Sequence, residues 1–293
     1  MIGMYRTDLA LEAKELWETS PDRASALQGV KGTETKVDGY TVSRVDILDE
    51  RGERALGKKR GSYRTVDLSP YWEDRAGAFS AAAALLARQL RQLLPQEGSV
   101  FVAGLGNRGL TPDAIGPLAV EHLLITRHLS AVLPGFRPLS AAAAGVLGTT
   151  GLESSEWVRS LAERSEAKAV IVIDALAARS LERLCTAVQI SDTGIVPGSG
   201  IGNARMALNR ESMGVPVIAV GVPTVVDALT LAADLLGEDA VFPENVENRG
   251  RSLFVTPKDV DSKVRQLGKL IGYGVNLAVQ RQLTVEDVAA LLE

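Results

Sequence analysis

The sequence predicts an α/β fold: a three-layer helix–sheet–helix arrangement with a mostly parallel central sheet and a small β-rich N-terminal embellishment. Three observations carry that expectation. Short, nearly continuous apolar runs at 99–103, 169–173, 185–190 and 215–221 read as parallel strands buried on both faces. Helix-forming stretches separate them, the rhythm that packs helices on both faces of one sheet. Residues 35–49 instead alternate polar with apolar side chains, as half-exposed hairpin strands do, and 62–68 adds another short strand. The simplest division is a single domain over 9–293, with its β-rich part at 35–68.

In chain order, residues 7–18 carry an amphipathic helix pattern. Thr7 suits the N-cap, and Asp8 suits the first turn, where a carboxylate favours the helix dipole. The hairpin and a third short strand follow, and then a helix over 76–93 built on Ala81-Ala82-Ala83-Ala84-Leu85-Leu86. After the strand at 99–103 the next helix is expected near Pro112, with Thr111 as N-cap, running on through His122 and His128. Further helices are expected at 154–164, 224–236, 257–281 and 284–292. Thr256-Pro257 opens the third of these, and Thr284 with Asp287 forms a capping pair for the fourth. Residues 237–251 are polar, contain Pro243 and Gly250, and read as a surface loop.

Composition narrows the function classes. Among 293 residues, 46% are apolar and 23% charged, as in ordinary globular proteins. Lys+Arg number 32 and Asp+Glu 36, giving a net charge of −4, and no segment concentrates base. Aromatics for base stacking are only 4%, so no nucleic-acid partner is expected. Residues 1–8 lack a basic region followed by an apolar core, so they do not read as a secretory signal. The apolar runs are far shorter than the ~20 residues that span a bilayer, and an intracellular, soluble chain with no membrane partner is expected. Cys185, the single cysteine, cannot form an internal disulfide and reads as a small buried apolar residue.

The chemistry is expected where two strand-like runs lead into an aspartate. Ser99-Val100-Phe101-Val102-Ala103-Gly104-Leu105-Gly106-Asn107 is followed by Thr111-Pro112-Asp113, and Ala169-Val170-Ile171-Val172-Ile173 by Asp174. In open α/β sheets the carboxyl ends of parallel strands face the ligand crevice. Two carboxylates close together there cannot both ionise easily, so one pKa rises. One can act as base toward water while its protonated partner assists the carbonyl. Each also has a structural reading, Asp113 in a helix's first turn and Asp174 as a cap.

Other motifs carry less. Gly104-Leu105-Gly106-Asn107-Arg108-Gly109 matches a dinucleotide fingerprint in letters, but Pro112 delays the helix and the next strand-end acid is Asp174. Its glycines read better as a sharp turn that opens space above the sheet. Asp192-Thr193-Gly194 matches the triplet of pepsin-like proteases once, where those enzymes need two; Asp192 reads as a turn residue before the glycines of 198–202. His122 and His128 lie about 240° apart on the expected helix and share no face, and there is no metal-binding motif. Ser199, between Gly198 and Gly200, is not in a Gly-x-Ser-x-Gly elbow. No metal and no cofactor are expected.

Longer stretches resemble the germination protease family of spore-forming bacteria. They include Tyr5-Arg6-Thr7-Asp8-Leu9-Ala10-Leu11-Glu12, the Gly104-Leu105-Gly106-Asn107 and Thr111-Pro112-Asp113 segments, and Leu124-Ile125-Thr126-Arg127-His128-Leu129. Ile173-Asp174-Ala175-Leu176-Ala177-Ala178-Arg179-Ser180, Gln189-Ile190-Ser191-Asp192-Thr193-Gly194, Pro223-Thr224-Val225-Val226-Asp227 and Val255-Thr256-Pro257 continue the match. The resemblance implies an atypical aspartic endopeptidase that degrades small, acid-soluble spore proteins during germination, with catalytic aspartates at Asp113 and Asp174. It implies a self-processing zymogen, here with residues 1–8 as a short propeptide cut between Asp8 and Leu9, and a cytoplasmic homotetramer in the spore core. Gly104, Gly106, Asn107, Arg179 and Asp192 become candidates for binding substrate or shaping the site.

Two alternatives stand beside it. The family resembles hydrogenase-maturation endopeptidases, which use acids and a histidine around a nickel ion in the substrate; that reading would bring Asp113, Asp174 and His128 together. A nucleotide-binding module on residues 104–109 is the alternative from another class.

Overall fold

Asp38 and Gly39 both take positive φ, 52° and 86°, and so close the two-residue turn that matches the natural twist of a hairpin. The turn joins β1 (Val30–Val37) to β2 (Tyr40–Ile47), with Val37 opposite Tyr40. The computed structural model describes residues 6–19, 27–73, 75–143, 145–198, 205–237, 242–243, 250 and 253–293. Its other strands are β3 (Gly61–Asp67), β4 (Val100–Gly104), β5 (Leu139–Ala143), β6 (Ala169–Ala177), β7 (Ala187–Ser191), β8 (Val217–Asp227) and β9 (Phe254–Val255). They form one sheet in the order β1-β2-β3-β7-β8-β6-β4-β5, with β9 paired to the end of β8.

The helices are α1 (Ala10–Thr19), α2 (Glu50–Leu56), α3 (Ala78–Arg91), α4 (Ile115–Val120), α5 (Leu147–Thr150), α6 (Ser154–Arg164), α7 (Arg210–Met213), α8 (Ala228–Leu236), α9 (Val260–Val279) and α10 (Val285–Leu292). Side chains of β4 and β6 alternate between two cores. Val100, Val102, Ile171 and Ile173 face α3, α4 and α9, while Phe101, Ala103, Val170 and Val172 face Val158 and Ala162 of α6. Burial on both faces is why these strands read as unbroken apolar runs. The expected helix–sheet–helix class is therefore the fold of the chain. Parallel pairing, however, is confined to β8-β6-β4-β5. The N-terminal strands extend the same sheet antiparallel, through β3 against β7 and β7 against β8.

Several expected elements shift for physical reasons. The helix expected to carry both histidines stops at Val120. The fully buried Asn276 of α9 captures the backbone there: its Nδ2 donates to the His122 carbonyl at 2.8 Å and its Oδ1 accepts from Leu124 N at 2.9 Å. Those backbone groups would otherwise continue the helix. His128 lies on a separate 3-10 turn, Arg127–Leu129. Thr111 makes no capping bond and begins a 3-10 turn, Thr111–Asp113, before α4. The helix expected from 224 begins at Ala228, because β8 stays paired with β6 as far as Val225 and Asp227 caps α8 by accepting from Thr230 N. Cys185 is buried at φ 58°, ahead of β7. Most of the polar loop at 237–251 lies outside the described residues.

Candidate active site

Asp113 is placed by close backbone packing at three glycines. A Cβ on Gly104, at the end of β4, would collide with the Gly116 carbonyl, and one on Gly116 would collide with the backbone of Leu105 and Ile173. Gly106 has φ +105°, and a Cβ there would strike the Asp113 carbonyl oxygen. With these contacts free, the loop folds tightly over the end of β4. Leu105 N donates to the Ile173 carbonyl at 2.8 Å, and Asn107 N donates to Asp113 Oδ2 at 2.8 Å. The chain thus lays Asp113 over the next strand, at the point where Asp174 follows Ile173.

Asp174 lies within β6, not at its end, because β6 runs on to Ala177 beside β8. Its neighbour β4 stops one row earlier, at the Gly104–Ile173 pair. That staggered ending leaves Asp174 at the crevice, 6% exposed, with Oδ1 accepting from Ala175 N at 2.9 Å. Burial pushes its carboxyl well above the usual carboxylate range, and the Asp113 and Asp8 charges push the same way. Asp113 is also raised by burial, partly offset by the Asn107 N–H that favours its charged form. Both line a cleft of about 430 Å3, walled by Leu110, Pro112, Leu176, Ile195, Val196 and Phe254 among others. Thr224, the extra residue where the β6–β8 register shifts, also lines it; its buried Oγ1 has no hydrogen-bond partner among the described residues.

The N-terminal segment reaches this cleft. Asp8 lines it, donates from N to the Ala177 carbonyl at 2.9 Å, and accepts from Ala177 N on Oδ2 at 2.9 Å. Leu9 is fully buried among Leu176, Ala178, Leu184 and Val226. Just after it, Glu12 is 1% exposed and accepts from Arg179 N at 2.7 Å and Ser180 N at 3.0 Å, with the Arg183 guanidinium at 3.3 Å and the Thr7 hydroxyl bonded to it. Thr7 therefore holds the helix start through its side chain, also accepting from Leu9 N at 3.0 Å.

Of the sequence candidates, Asp113, Asp174 and Asp8 come together, and Gly104, Gly106 and Asn107 shape the loop that sets Asp113. Arg179 is not among the described lining residues; its side chain pairs with Asp234 at 3.4 Å. Asp192 instead ties β7 to β3, accepting from Ser62 N on Oδ1 at 2.8 Å. His128 is exposed, is not among the described lining residues, and so does not join the two aspartates as the metal reading requires. Among the described residues no group of three or more His, Cys, Asp or Glu could hold a metal ion. The 104–109 loop, the proposed nucleotide module, is folded onto Asp113. Ser199 lies outside the described residues. Sequence reasoning missed Gln189, Lys58, Glu12 and Gly116. Of these only Gln189 left a signal, as a polar side chain inside the apolar run Ala187-Val188-Gln189-Ile190.

Fold and site define an α/β protein whose cleft holds two carboxylates, the buried Asp174 and the half-buried Asp113. A family model described as germination protease matches residues 10–238. Germination proteases of Clostridium perfringens and Caldanaerobacter subterraneus subsp. tengcongensis are each 40% identical, over 98% of this chain and 98% of theirs. That of a Geobacillus species is 36% identical over 99% and 98%. The chain belongs to the germination protease family and is a peptidase. A NiFe hydrogenase maturation protease from Thermococcus kodakarensis KOD1 superposes with a TM-score of 0.37 at 16% identity, over 64% of this chain and 98% of that one. No helix among the described residues is long and apolar enough to cross a membrane.

Proposed function

We propose that the peptidase is of aspartic type, matures by cutting its own Asp8–Leu9 bond, and then attacks small, acid-soluble spore proteins in the spore core as a homotetramer. Membership of the family makes it an endopeptidase that starts spore-protein degradation at germination. The observation that carries the aspartic reading is the shared cleft: two carboxylates, both raised by burial, beside the residue whose peptide bond is to be cut.

The environments favour one division of roles. Asp174 is the more deeply buried and faces two other acids, so it keeps its proton. Asp113, with an N–H donor on its carboxylate, ionises first. Asp113 takes a proton from water as the water oxygen attacks the carbonyl carbon, and Asp174 donates its proton to the carbonyl oxygen. When the tetrahedral carbon collapses, the C–N bond breaks, the leaving nitrogen takes the proton held by Asp113, and the oxygen returns its own to Asp174.

The test follows the intact mass of the purified chain at mildly acidic pH. Wild type should lose residues 1–8, while Asp174→Asn should keep them. Loss of the same segment by the variant would remove Asp174 from the mechanism. Persistence of full-length wild type would remove the Asp8–Leu9 site.

A further inference from the structure

Residues 7–10 lie on the protein as a bound peptide does. Asp8 pairs with Ala177 in the manner of an added strand end: its N–H meets the Ala177 carbonyl, and its carboxylate takes the Ala177 N–H. The Gln189 carboxamide grips both sides of the Asp8–Leu9 bond. Its Nε2 donates to the Asp8 carbonyl at 3.2 Å, and its Oε1 accepts from Ala10 N at 2.7 Å. Gln189 and Asp174 sit in the same row of the sheet, on either side of Gly221, so the grip is in register with the buried acid. The Lys58 ammonium donates to the Thr7 carbonyl at 2.9 Å. A second pocket, of about 240 Å3, contains Lys58 and Gln189 and shares Asp8, Leu176, Ile195 and Val196 with the cleft of the two aspartates.

We infer that this cradle is the enzyme's substrate subsite: Lys58 and the Ala177 N–H read an acidic side chain just before the scissile bond, while Gln189 Nε2, freed of the Asp8 carbonyl, holds the carbonyl of that residue. Burial disfavours the charge on Lys58, and the carboxylates of Asp8 and Glu12 offset that cost. Once residues 1–8 have left, Lys58 loses the Thr7 carbonyl and the Asp8 carboxylate together. An acidic peptide from another chain restores both interactions, whereas a neutral side chain leaves the half-buried ammonium undercompensated. The leader and the substrate thus compete for one set of donors. This inference rests on the self-processing reading above.

Two measurements on the full chain test it. The first compares cleavage of a heptapeptide spanning residues 6–12 with cleavage of its counterpart bearing asparagine in place of the aspartate. Any leader still seated competes equally with both, so their kcat/KM ratio is unaffected by it. Wild type should favour the acidic peptide at least tenfold, Lys58→Gln should bring the ratio toward one, and Lys58→Arg should keep most of it. The second follows amide hydrogen exchange in an Asp174→Asn background. Lys58→Gln should speed exchange at Asp8 and Ala10 at least tenfold without changing the amides of β8, which report the fold. An unchanged ratio together with unchanged exchange would falsify the subsite. Faster exchange with no peptide cut by any form keeps the cradle as the leader's seat and overturns both the self-processing reading and the subsite's role in cleavage.

Discussion

Glu12 and Asp174 are two acids buried to nearly the same depth, 1% and 6% exposed, yet their surroundings oppose each other. Glu12 receives two backbone N–H groups, a hydroxyl and a guanidinium, so its charge is met from every side. Asp174 receives one N–H and faces two further acids. Glu12 sits where the N-terminal segment crosses the turn after β6, and the donors it meets there are the Arg179 and Ser180 amides of that turn. Asp174 sits where β4 has ended and its partner on β8 is Gly221, which has no side chain to donate. Burial therefore does not decide what a carboxylate does. The first fastens the chain; the second is left in surroundings that favour its protonated form.

The largest expected effect breaks the chemical side. Asp113→Asn or Asp174→Asn should each lower kcat/KM for peptide cleavage by about 10³-fold, within the range of lost acid–base catalysis. Asp174→Asn should also change the pH dependence of stability. A carboxyl raised in the folded state contributes stability that is fully present below its unfolded pKa, about 4, and lost as pH rises through the folded value. Thermal unfolding of the variant should match wild type near pH 4 and exceed it increasingly at higher pH. A constant difference across that range would deny the raised pKa.

The fastening side should fail differently. Glu12→Ala leaves the Arg183 guanidinium and two amides short of their partner, and denaturant unfolding should show a loss of about 3–5 kcal/mol. A loss below about 1 kcal/mol would mean that the contacts around Glu12 contribute little. The smallest effect sharpens the boundary between the two kinds of site. Asp192→Ala removes one acceptor from Ser62 N and should cost about 1–2 kcal/mol. Its kcat/KM should stay within about twofold of wild type; a hundredfold fall would return Asp192 to the active site.

Much of this was legible before the structure. The strands at 99–103 and 169–173 showed themselves because burial on both faces demands unbroken apolar runs, and the capping pair Thr284 and Asp287 fixed the last helix start through local bonds alone. The two catalytic candidates were visible for the same reason, as acids that follow unbroken apolar runs, although β6 carries on past Asp174 to Ala177. Helix ends that depend on distant partners were not. Asn276 halts the helix before His122 from 154 residues away, which no local propensity encodes.

By itself, then, the sequence determined the layered α/β class and marked the two acids as candidates, since periodicity and the acids that follow apolar runs are local properties written in neighbouring residues. Tertiary structure alone decided that β6 outruns β4 to leave Asp174 at the crevice, that the N-terminal strands join the main sheet, and that Lys58, Gln189 and Ala177 close around Asp8. Those outcomes depend on which backbone groups remain unpaired once the sheet has formed, and only the folded chain brings such groups together.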